Sequence, residues 1–323
     1  MSHSYLDSDI DISKQEDVID SDNLPVIDFQ CINEEKQKLH EACMDWGIFR
    51  LVNHGIPSCL LNQLHETSKQ LFHYSFEAKQ GLFSNSPITY FRGTPALDSQ
   101  GRALQPPRNV ECMEGFNVPL NQLLNAHASQ DDDASLPTSF RGLIQEYGKH
   151  QSRLAETIYK AITKRQNEGL EDFPSYLSLS TGFLRVYRYP AVSQLNESSW
   201  GMVAHTDSSL ISILNQDLVG GLQYYRLGRW FHVCPIPNTF IVNLGDLMQA
   251  ISDDEYKSVK HRVRLNKHKE RLSIGYFVFP DDDRLIHSQR YKPFSYSDFR
   301  AQIQQDLETV GYKVGLQRFR RSG

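Results

Sequence analysis

The segment from Thr181 to Phe279 constrains the fold more than any other part of the chain. Short runs rich in Val, Ile, Leu, Phe and Tyr alternate there with turn residues. Many short strands at regular spacing are typical of a β-sandwich or barrel, the type that includes jelly rolls and cupins. The runs are Gly182–Tyr189, Leu210–Leu214, Leu222–Tyr225, Trp230–Val233 and Thr239–Leu244.

Helical patterns flank this β-rich segment, so the sequence predicts an α+β fold. Apolar residues recur at helical spacing over Glu34–Asp45, over Ser139–Arg165 and again over Ser295–Val310. Leu24–Phe29 is expected to be the first strand, and residues 84–137 are expected to be irregular substrate-lining loops. Residues 1–23 are polar and acidic, and we expect a disordered tail because they bury too little apolar surface to order themselves.

Bulk properties of the 323-residue chain exclude several classes of protein. A net charge of −5 argues against a nucleic-acid-binding surface. Five cysteines without a CxxC pair indicate free thiols in a reducing compartment. The sequence shows neither a membrane-spanning apolar run nor a signal-peptide core, so the expected location is the cytosol. Oligomeric state cannot be read from these features.

Two histidines and one aspartate form a candidate metal site. His205 and Asp207 stand two residues apart in a strand-like segment, where side chains at that spacing point to the same face. His261 begins another strand-like run. Two imidazoles and a carboxylate, with other coordination positions open, are typical of non-haem Fe(II) oxygenases.

Arg271 and Ser273 form a candidate anion site shortly after the second histidine, again two residues apart on an apolar strand. A guanidinium beside a hydroxyl suits a carboxylate. Each of these residues taken alone is more often structural than functional. Their order and spacing together favour an iron site beside an anchor for a dicarboxylic acid.

Seven segments of the chain carry a family resemblance: Leu24–Asp28, Trp46–Ile56, His205–Ser209, Gly220–Gln223, Val242–Asp246, Tyr256–Val263 and Arg271–Ser273. Through them, and over nearly its whole length after the acidic tail, the chain resembles the plant 2-oxoglutarate and Fe(II)-dependent dioxygenases. Three segments, one of them shared with the first set, carry a narrower likeness: Glu114–Leu120, His205–Ser209 and Val314–Phe319. Through these the chain looks most like the gibberellin oxidases, in particular the 2-oxidases that act on C20 gibberellins.

The resemblance implies a double-stranded β-helix core flanked by helices. On this basis, residues 24–170 form an N-terminal helical region with the first strands and substrate loops, and residues 171–323 form the dioxygenase core and a C-terminal helix. The implied cofactors are Fe(II), the cosubstrate 2-oxoglutarate, O2 and ascorbate as reductant. The implied reaction is hydroxylation of a small apolar plant metabolite, here the 2β-hydroxylation that inactivates a gibberellin hormone.

Specific roles also follow from the resemblance. His205, Asp207 and His261 are the implied iron ligands, and Arg271 and Ser273, with Tyr189, are the implied partners of 2-oxoglutarate. Tyr187 stands where the family usually has asparagine, and Asp253–Asp254 replaces the usual Asn–Gly turn, which aspartate tolerates.

The substrate contacts are less determined by sequence. Aromatic side chains could line an apolar cavity or equally pack in the core. A substrate carboxylate would require a cation, although arginines in such loops are commonly just solvated. The candidate aromatic residues are Tyr90, Phe91, Phe116, Phe277 and Phe279, and the candidate cations are Arg92 and Arg108. Alternatives are the same chemistry on an auxin, flavonoid or alkaloid, a cupin-like binding protein without turnover, and a zinc hydrolase. Neither of the last two explains Arg271 and Ser273, although relatives that do not use 2-oxoglutarate share this pair.

Overall fold

The strands of the computed structural model fall into two sheets, one larger than the other. The structure describes residues 18–19, 23–82, 87–93, 112–125, 138–166, 175–193 and 200–321. Within these residues the strands are β1 (Val18–Ile19), β2 (Val26–Asp28), β3 (Ile48–Val52), β4 (Thr89–Arg92), β5 (Glu114–Pro119), β6 (Ser178–Tyr189), β7 (Trp200–His205), β8 (Ile211–Gln216), β9 (Leu222–Arg226), β10 (Arg229–His232), β11 (Phe240–Leu244), β12 (His261–Arg264) and β13 (Arg271–Phe279). The helices are α1 (Lys36–Glu41), continued by a π-helical turn (Ala42–Trp46), α2 (Ser58–Phe72), α3 (Phe76–Gly81), α4 (Leu120–Asn125), α5 (Thr138–Gln166), α6 (Asp246–Ile251), α7 (Tyr296–Thr309) and a 3-10 turn (Gly315–Phe319).

The two sheets form the double-stranded β-helix that the sequence led us to expect. The larger sheet has the order β2-β3-β11-β8-β13-β6-β5-β4, and the smaller sheet has the order β1-β10-β9-β12-β7. A buried apolar cluster contains residues of both sheets, among them Tyr187 and Tyr189 of β6, Leu222 of β9 and Val263 of β12. The sheets therefore pack together through their apolar faces, as in other jelly-roll folds.

Parts of the N-terminal region differ from the sequence-based expectation. The segment 84–137, predicted to be irregular, contains β4, β5 and α4 within its described residues. Strand β3 pairs with β11, and β5 pairs with β6, so the N-terminal residues and the core share one sheet. The predicted tail also contributes β1, which pairs in parallel with β10, while residues 1–17 and 20–22 lie outside the described residues.

The predicted helices occur close to their expected bounds. The long helix α5 packs against the larger sheet and buries Phe140, Ile144 and Ile158 in the main apolar core. Helix α7 begins with a capping box, in which the Ser295 hydroxyl and the Asp298 carboxylate each accept a backbone N–H bond from the other residue. This cap fixes the start of the helix that leads to the C-terminal segment.

The turn at Asp253 and Asp254, which replaces the usual Asn–Gly turn, adopts the left-handed backbone conformation that such a turn requires. Both residues have positive φ values, of 53° and 67°. The five cysteines are free thiols, as expected. In the described part of the chain, no helix has the length and apolar character needed to cross a membrane.

Candidate active site

Pairing between β7 and β12 places two histidines side by side. His205, the last residue of β7, is directly opposite His261, the first residue of β12, and their ring centroids are 4.3 Å apart. Asp207 lies in the loop after β7, and its Oδ1 atom is 3.8 Å from His205 Nε2 and 3.7 Å from His261 Nε2. One ligand atom from each residue lies within 4.8 Å of the others, so the three side chains can bind one ion.

Backbone contacts orient both imidazoles toward the same point. The Nδ1 atom of His205 is 2.8 Å from the Val203 carbonyl oxygen, and that of His261 is 3.1 Å from the Val259 carbonyl oxygen. Because a carbonyl oxygen only accepts, each Nδ1 carries the hydrogen and each Nε2 presents a lone pair. This donor set of two imidazole nitrogens and a carboxylate fits Fe(II).

The protonation states of the cluster also suit a cation. Burial, and then the neighbouring His261 ring, lower the pKa of His205 to about 4, so the imidazole is neutral near pH 7. Burial alone would raise the pKa of Asp207. The adjacent rings of His261 and His205, together with a 2.7 Å hydrogen bond from Ser212 Oγ, hold that pKa below its ordinary value. Asp207 is therefore ionised and can act as a ligand for a cation.

A buried arginine lies on β13, which pairs with β6 and β8. Arg271 is 2% exposed, and its Nη1 donates to Ser273 Oγ at 3.1 Å while its Nη2 donates to Gln216 Oε1 at 2.9 Å. Its buried Nε has no hydrogen-bond partner. Within the described residues, Arg271 forms no ion pair, although buried guanidinium groups are normally paired. The guanidinium also lies 4.9 Å from the ring of Tyr189, its partner across the strand pair.

Both groups of residues line one cavity of about 1190 Å³. Its wall includes the three metal-site residues, Arg271, Ser273 and Tyr189. The cavity volume is sufficient for a polycyclic molecule beside a small dicarboxylate, since ligand pockets commonly enclose about 300–1,000 Å³.

Two of the predicted aromatic residues line this cavity, and three do not. Phe277 and Phe279 are in its wall. Phe91 and Phe116 are buried in the apolar cores, and the Tyr90 hydroxyl donates to the buried Glu114 carboxylate. These three side chains take the packing alternative. Tyr90 and Phe116 share the face of β4 and β5 opposite to the one that carries Tyr187. Phe91 lies on the same face as Tyr187 but packs against its ring, with the centroids 5.9 Å apart.

Of the two predicted substrate cations, the structure describes only Arg92, and it does not line the cavity. Arg92 is exposed on β4 and lies 4.9 Å from the ring of Phe76, while Arg108 lies outside the described residues. The cavity wall instead includes Arg185 of β6 and Lys313 of the C-terminal segment, which sequence reasoning missed. Arg185 occupies alternate positions with Tyr187 and Tyr189 on the same strand, a period-two pattern that could have indicated it.

Tyr187 lies between Arg185 and Tyr189 in this wall. It is opposite Ser273 in the pairing of β6 with β13, and its ring is 6.1 Å from that of Tyr189. Its hydroxyl accepts a long hydrogen bond of 3.5 Å from Arg185 Nη1. The position where the family usually has asparagine therefore faces the cavity next to the candidate cosubstrate residues.

Comparison with known proteins identifies the class of this fold and site. Residues 180–280 match the 2OG-Fe(II) oxygenase superfamily, and residues 24–135 match the non-haem dioxygenase in morphine synthesis N-terminal family. The chain belongs to the 2OG-Fe(II) oxygenases and is an Fe(II)- and 2-oxoglutarate-dependent dioxygenase that uses O2.

Individual relatives refine this assignment. Gibberellin 2-beta-dioxygenase 6 of Oryza sativa subsp. japonica is 35% identical over 318 residues, which cover 92% of this chain and 85% of that protein. The structure of the dioxygenase for auxin oxidation in rice has a TM-score of 0.73 at 25% identity, covering 92% of this chain and all of that one. The structure of JOX2 with 2OG, Fe and JA has a TM-score of 0.72 at 26% identity, covering 95% of this chain and 91% of that one.

Proposed function

We propose that the enzyme hydroxylates a gibberellin, with 2β-hydroxylation as the reaction, and that the cavity described above is its active site. The carrying observation is that a His-Asp-His cluster lines the same cavity as a buried arginine that has no carboxylate partner among the described residues. In this proposal His205, Asp207 and His261 bind Fe(II). Bound Fe(II), 2-oxoglutarate and O2 together supply the oxidation of a substrate C–H bond, with succinate and CO2 as the coproducts.

The polar residues of β13 bind the cosubstrate in this proposal. Arg271 donates to the distal carboxylate of 2-oxoglutarate, Ser273 contributes its hydroxyl, and the Tyr189 ring packs against the guanidinium. The unpartnered Nε of Arg271 supports this role, because a bound carboxylate would satisfy it and neutralise the buried charge. Tyr187 forms the neighbouring wall of the cavity.

The substrate proposal rests on the relatives and on the shape of the cavity. Four relatives named gibberellin 2-beta-dioxygenase are 32–35% identical over 92–94% of this chain. Gibberellins are rigid, apolar polycyclic acids, and Phe183, Phe277 and Phe279 provide an aromatic wall for such a skeleton. Contacts with a rigid skeleton would fix which carbon approaches the metal and so set the regiochemistry.

Arg185 provides a cation for the carboxylate of this substrate. Its guanidinium lies 5.0 Å from the Phe183 ring and 5.8 Å from the Phe277 ring, and its Nε donates to Asn117 Oδ1 at 3.3 Å. Arg300 and Lys313, which also line the cavity, are paired with Asp282 and Asp246, whereas Arg185 forms no ion pair within the described residues.

A second candidate substrate class is another plant hormone acid. The structural likeness to the rice auxin dioxygenase and to JOX2 with JA favours it, since both enzymes share this fold over nearly all of the chain. Competition between a C20 gibberellin, indole-3-acetic acid and jasmonic acid, with product masses as the readout, separates the two candidates. Turnover of either smaller acid without turnover of any gibberellin would refute the gibberellin proposal.

The ligand assignment is tested by substitution of each metal-site residue. His205→Ala, Asp207→Ala and His261→Ala should each abolish formation of succinate from 2-oxoglutarate. His268→Ala removes an exposed histidine close in sequence to Arg271 and is a matched control that should retain activity. Near-normal activity in any of the three metal-site variants would refute its assignment as a ligand.

A further inference from the structure

A lysine near the C-terminus binds the loop that carries Asp207. Lys313 follows α7, and its Nζ donates to the Thr206 carbonyl oxygen at 2.9 Å and to Ser208 Oγ at 2.9 Å. The same Nζ lies 2.7 Å from Asp246 Oδ2, and the Lys313 side chain is only 16% exposed. The ammonium therefore joins both residues that flank Asp207 in sequence to the first residue of α6.

The aspartate partner of Lys313 also holds this loop directly. The Asp246 backbone N–H donates to the Asp207 carbonyl oxygen at 2.8 Å, and Thr206 Oγ1 donates to Asp246 Oδ2 at 3.2 Å. Gly245 permits this approach, because a Cβ atom there would lie 2.1 Å from the Ser209 carbonyl oxygen. Each residue from Thr206 to Ser208 is thus fixed by Lys313, by Asp246 or by both.

The segment that carries Lys313 is itself held in place. The carboxylate of Asp306, a fully buried residue of α7, accepts a hydrogen bond from the Val314 N–H at 3.0 Å and another from Arg318 Nε at 2.8 Å. Gly315 has a φ of 72°, and a Cβ atom there would lie 3.3 Å from Asp246 Oδ2. A glycine at this point lets the chain pass close to the ion pair. Hydrogen bonds to α7 therefore hold the segment from which Lys313 extends.

These contacts matter for the metal site because its three ligands are supported in different ways. His205 and His261 end or begin paired strands, so the ladder between β7 and β12 sets their backbone positions. Asp207 lies outside that ladder, and Ser212 contacts only its carboxylate. Its backbone position depends on the contacts of Lys313 and Asp246.

We propose that Lys313 is a positioning residue for the metal site, so that the C-terminal segment completes the binding site for Fe(II). Lys313 touches neither the ion nor the substrate in this proposal; it fixes the backbone on both sides of Asp207. The inference rests on the proposed assignment of His205, Asp207 and His261 as metal ligands. A purely structural ion pair would make the same contacts, so the test must separate metal affinity from stability.

The test is the affinity of the full-length protein for Co(II), measured by calorimetry, with the Co(II) absorption spectrum as a second readout. Lys313→Met keeps the aliphatic stem but removes the charge. We expect its Kd for Co(II) to rise about 10- to 100-fold, the range found when groups that orient metal ligands are removed, and the Co(II) spectrum to change. Lys313→Arg, which keeps the charge, should restore part of the affinity.

Lys79→Met is the matched control. Lys79 forms an equally short and more deeply buried ion pair with Glu114, at 2.6 Å, but it does not line the cavity. This variant should lower the melting temperature and leave the Kd for Co(II) unchanged. If Lys313→Met behaved in the same way as Lys79→Met, the proposal would be overturned and the pair would be structural only.

A milder variant covers the case in which Lys313→Met does not fold. Ser208→Ala removes one acceptor of Lys313 and leaves its pair with Asp246 intact. We expect a several-fold rise in the Kd for Co(II), and an unchanged Kd would contradict the proposal. If His205, Asp207 and His261 did not bind metal at all, the outcome would differ: wild-type protein would bind Co(II) no more tightly than His205→Ala.

Discussion

Replacement of Arg185 by leucine should remove the preference of the enzyme for an acidic substrate. The guanidinium has five N–H donors, and the contacts in the structure use two of them at long distances, 3.3 Å to Asn117 Oδ1 and 3.5 Å to the Tyr187 hydroxyl. Donors therefore remain for a carboxylate. Leucine fills a similar volume against the Phe183 ring, so the change removes charge and hydrogen bonds more than packing.

The expected fall in kcat/KM follows from the charged hydrogen bonds that a substrate carboxylate would lose. Truncating one partner of a hydrogen-bonded charge pair at a binding site costs about 2–5 kcal/mol when the pair is buried. Arg185 is only partly buried, so solvent screening favours the lower part of this range, about 2–3 kcal/mol. At about 1.36 kcal/mol for each factor of ten, kcat/KM for the free acid should fall about 30- to 150-fold.

The assay compares a gibberellin free acid with its methyl ester at saturating 2-oxoglutarate. Wild-type enzyme should prefer the acid, and Arg185→Leu should use acid and ester equally because the ester has no charge to lose. The apparent KM for 2-oxoglutarate should not change. Arg92→Leu, an exposed arginine on β4 outside the cavity, is the matched control and should retain the wild-type preference. An unchanged ratio of acid to ester in Arg185→Leu would refute the reasoning.

Further substitutions test the cosubstrate site and the stability of the fold. Arg271→Leu should raise the apparent KM for 2-oxoglutarate steeply, by an amount equivalent to about 2–5 kcal/mol, while the Kd for Co(II) changes little; an unchanged KM would place the anchor elsewhere. Tyr187→Asn should alter the KM for 2-oxoglutarate or the ratio of succinate to hydroxylated product, whereas a loss of melting temperature alone would indicate a packing role. Glu114→Gln should cost about 3–5 kcal/mol in urea unfolding, because it leaves Lys79 without its buried partner. Glu156→Gln, which breaks an exposed pair, is its control and should cost less than about 1 kcal/mol.

The same carboxylate predicts how stability depends on pH. Burial alone would raise the pKa of Glu114, but hydrogen bonds from Lys79, Tyr90 and Arg188 hold it below its ordinary value. A carboxyl group whose pKa is lower in the folded than in the unfolded protein stabilises the fold at pH values above its unfolded-state pKa. This contribution to the free energy of unfolding is lost as the pH falls through the folded-state pKa. Urea unfolding of wild-type protein between pH 6 and pH 3 should therefore show a loss of stability on acidification that is smaller in Glu114→Gln.

The candidate metal site could be predicted from sequence because its chemistry is concentrated in a few residue types at short spacing. His205 and Asp207 are two positions apart, and the strand-like run that begins at His261 indicated a third ligand. The sequence did not reveal that Asp207 leaves the strand, nor that His261 lies directly opposite His205. Register between strands that are distant in the chain depends on the packing of both sheets, which no local pattern encodes.

The residues that were missed are determined by contacts over long sequence separations. Lys313 binds a loop that lies 107 residues earlier, and by composition it looks like an ordinary exposed lysine. Phe91 and Phe116 were candidates for the cavity wall. Phe116 lies on the face of β5 that packs in the main core, and only the pairing of β4, β5 and β6 decides that face. Phe91 shares a face with Tyr187 but packs against its ring. Aromatic composition alone could not distinguish cavity wall from core.

N-terminal strands and core strands share the larger sheet, and this has a consequence for making shorter forms of this enzyme. A fragment that begins after α5 would keep the metal-site residues and the cosubstrate residues. It would also lose β3 from the side of β11 and β5 from the side of β6. Both edges of the remaining sheet would then present unpaired backbone N–H and C=O groups, which recruit strands from other molecules. Such a fragment should aggregate during expression, and the enzyme is best produced and evolved as a single unit.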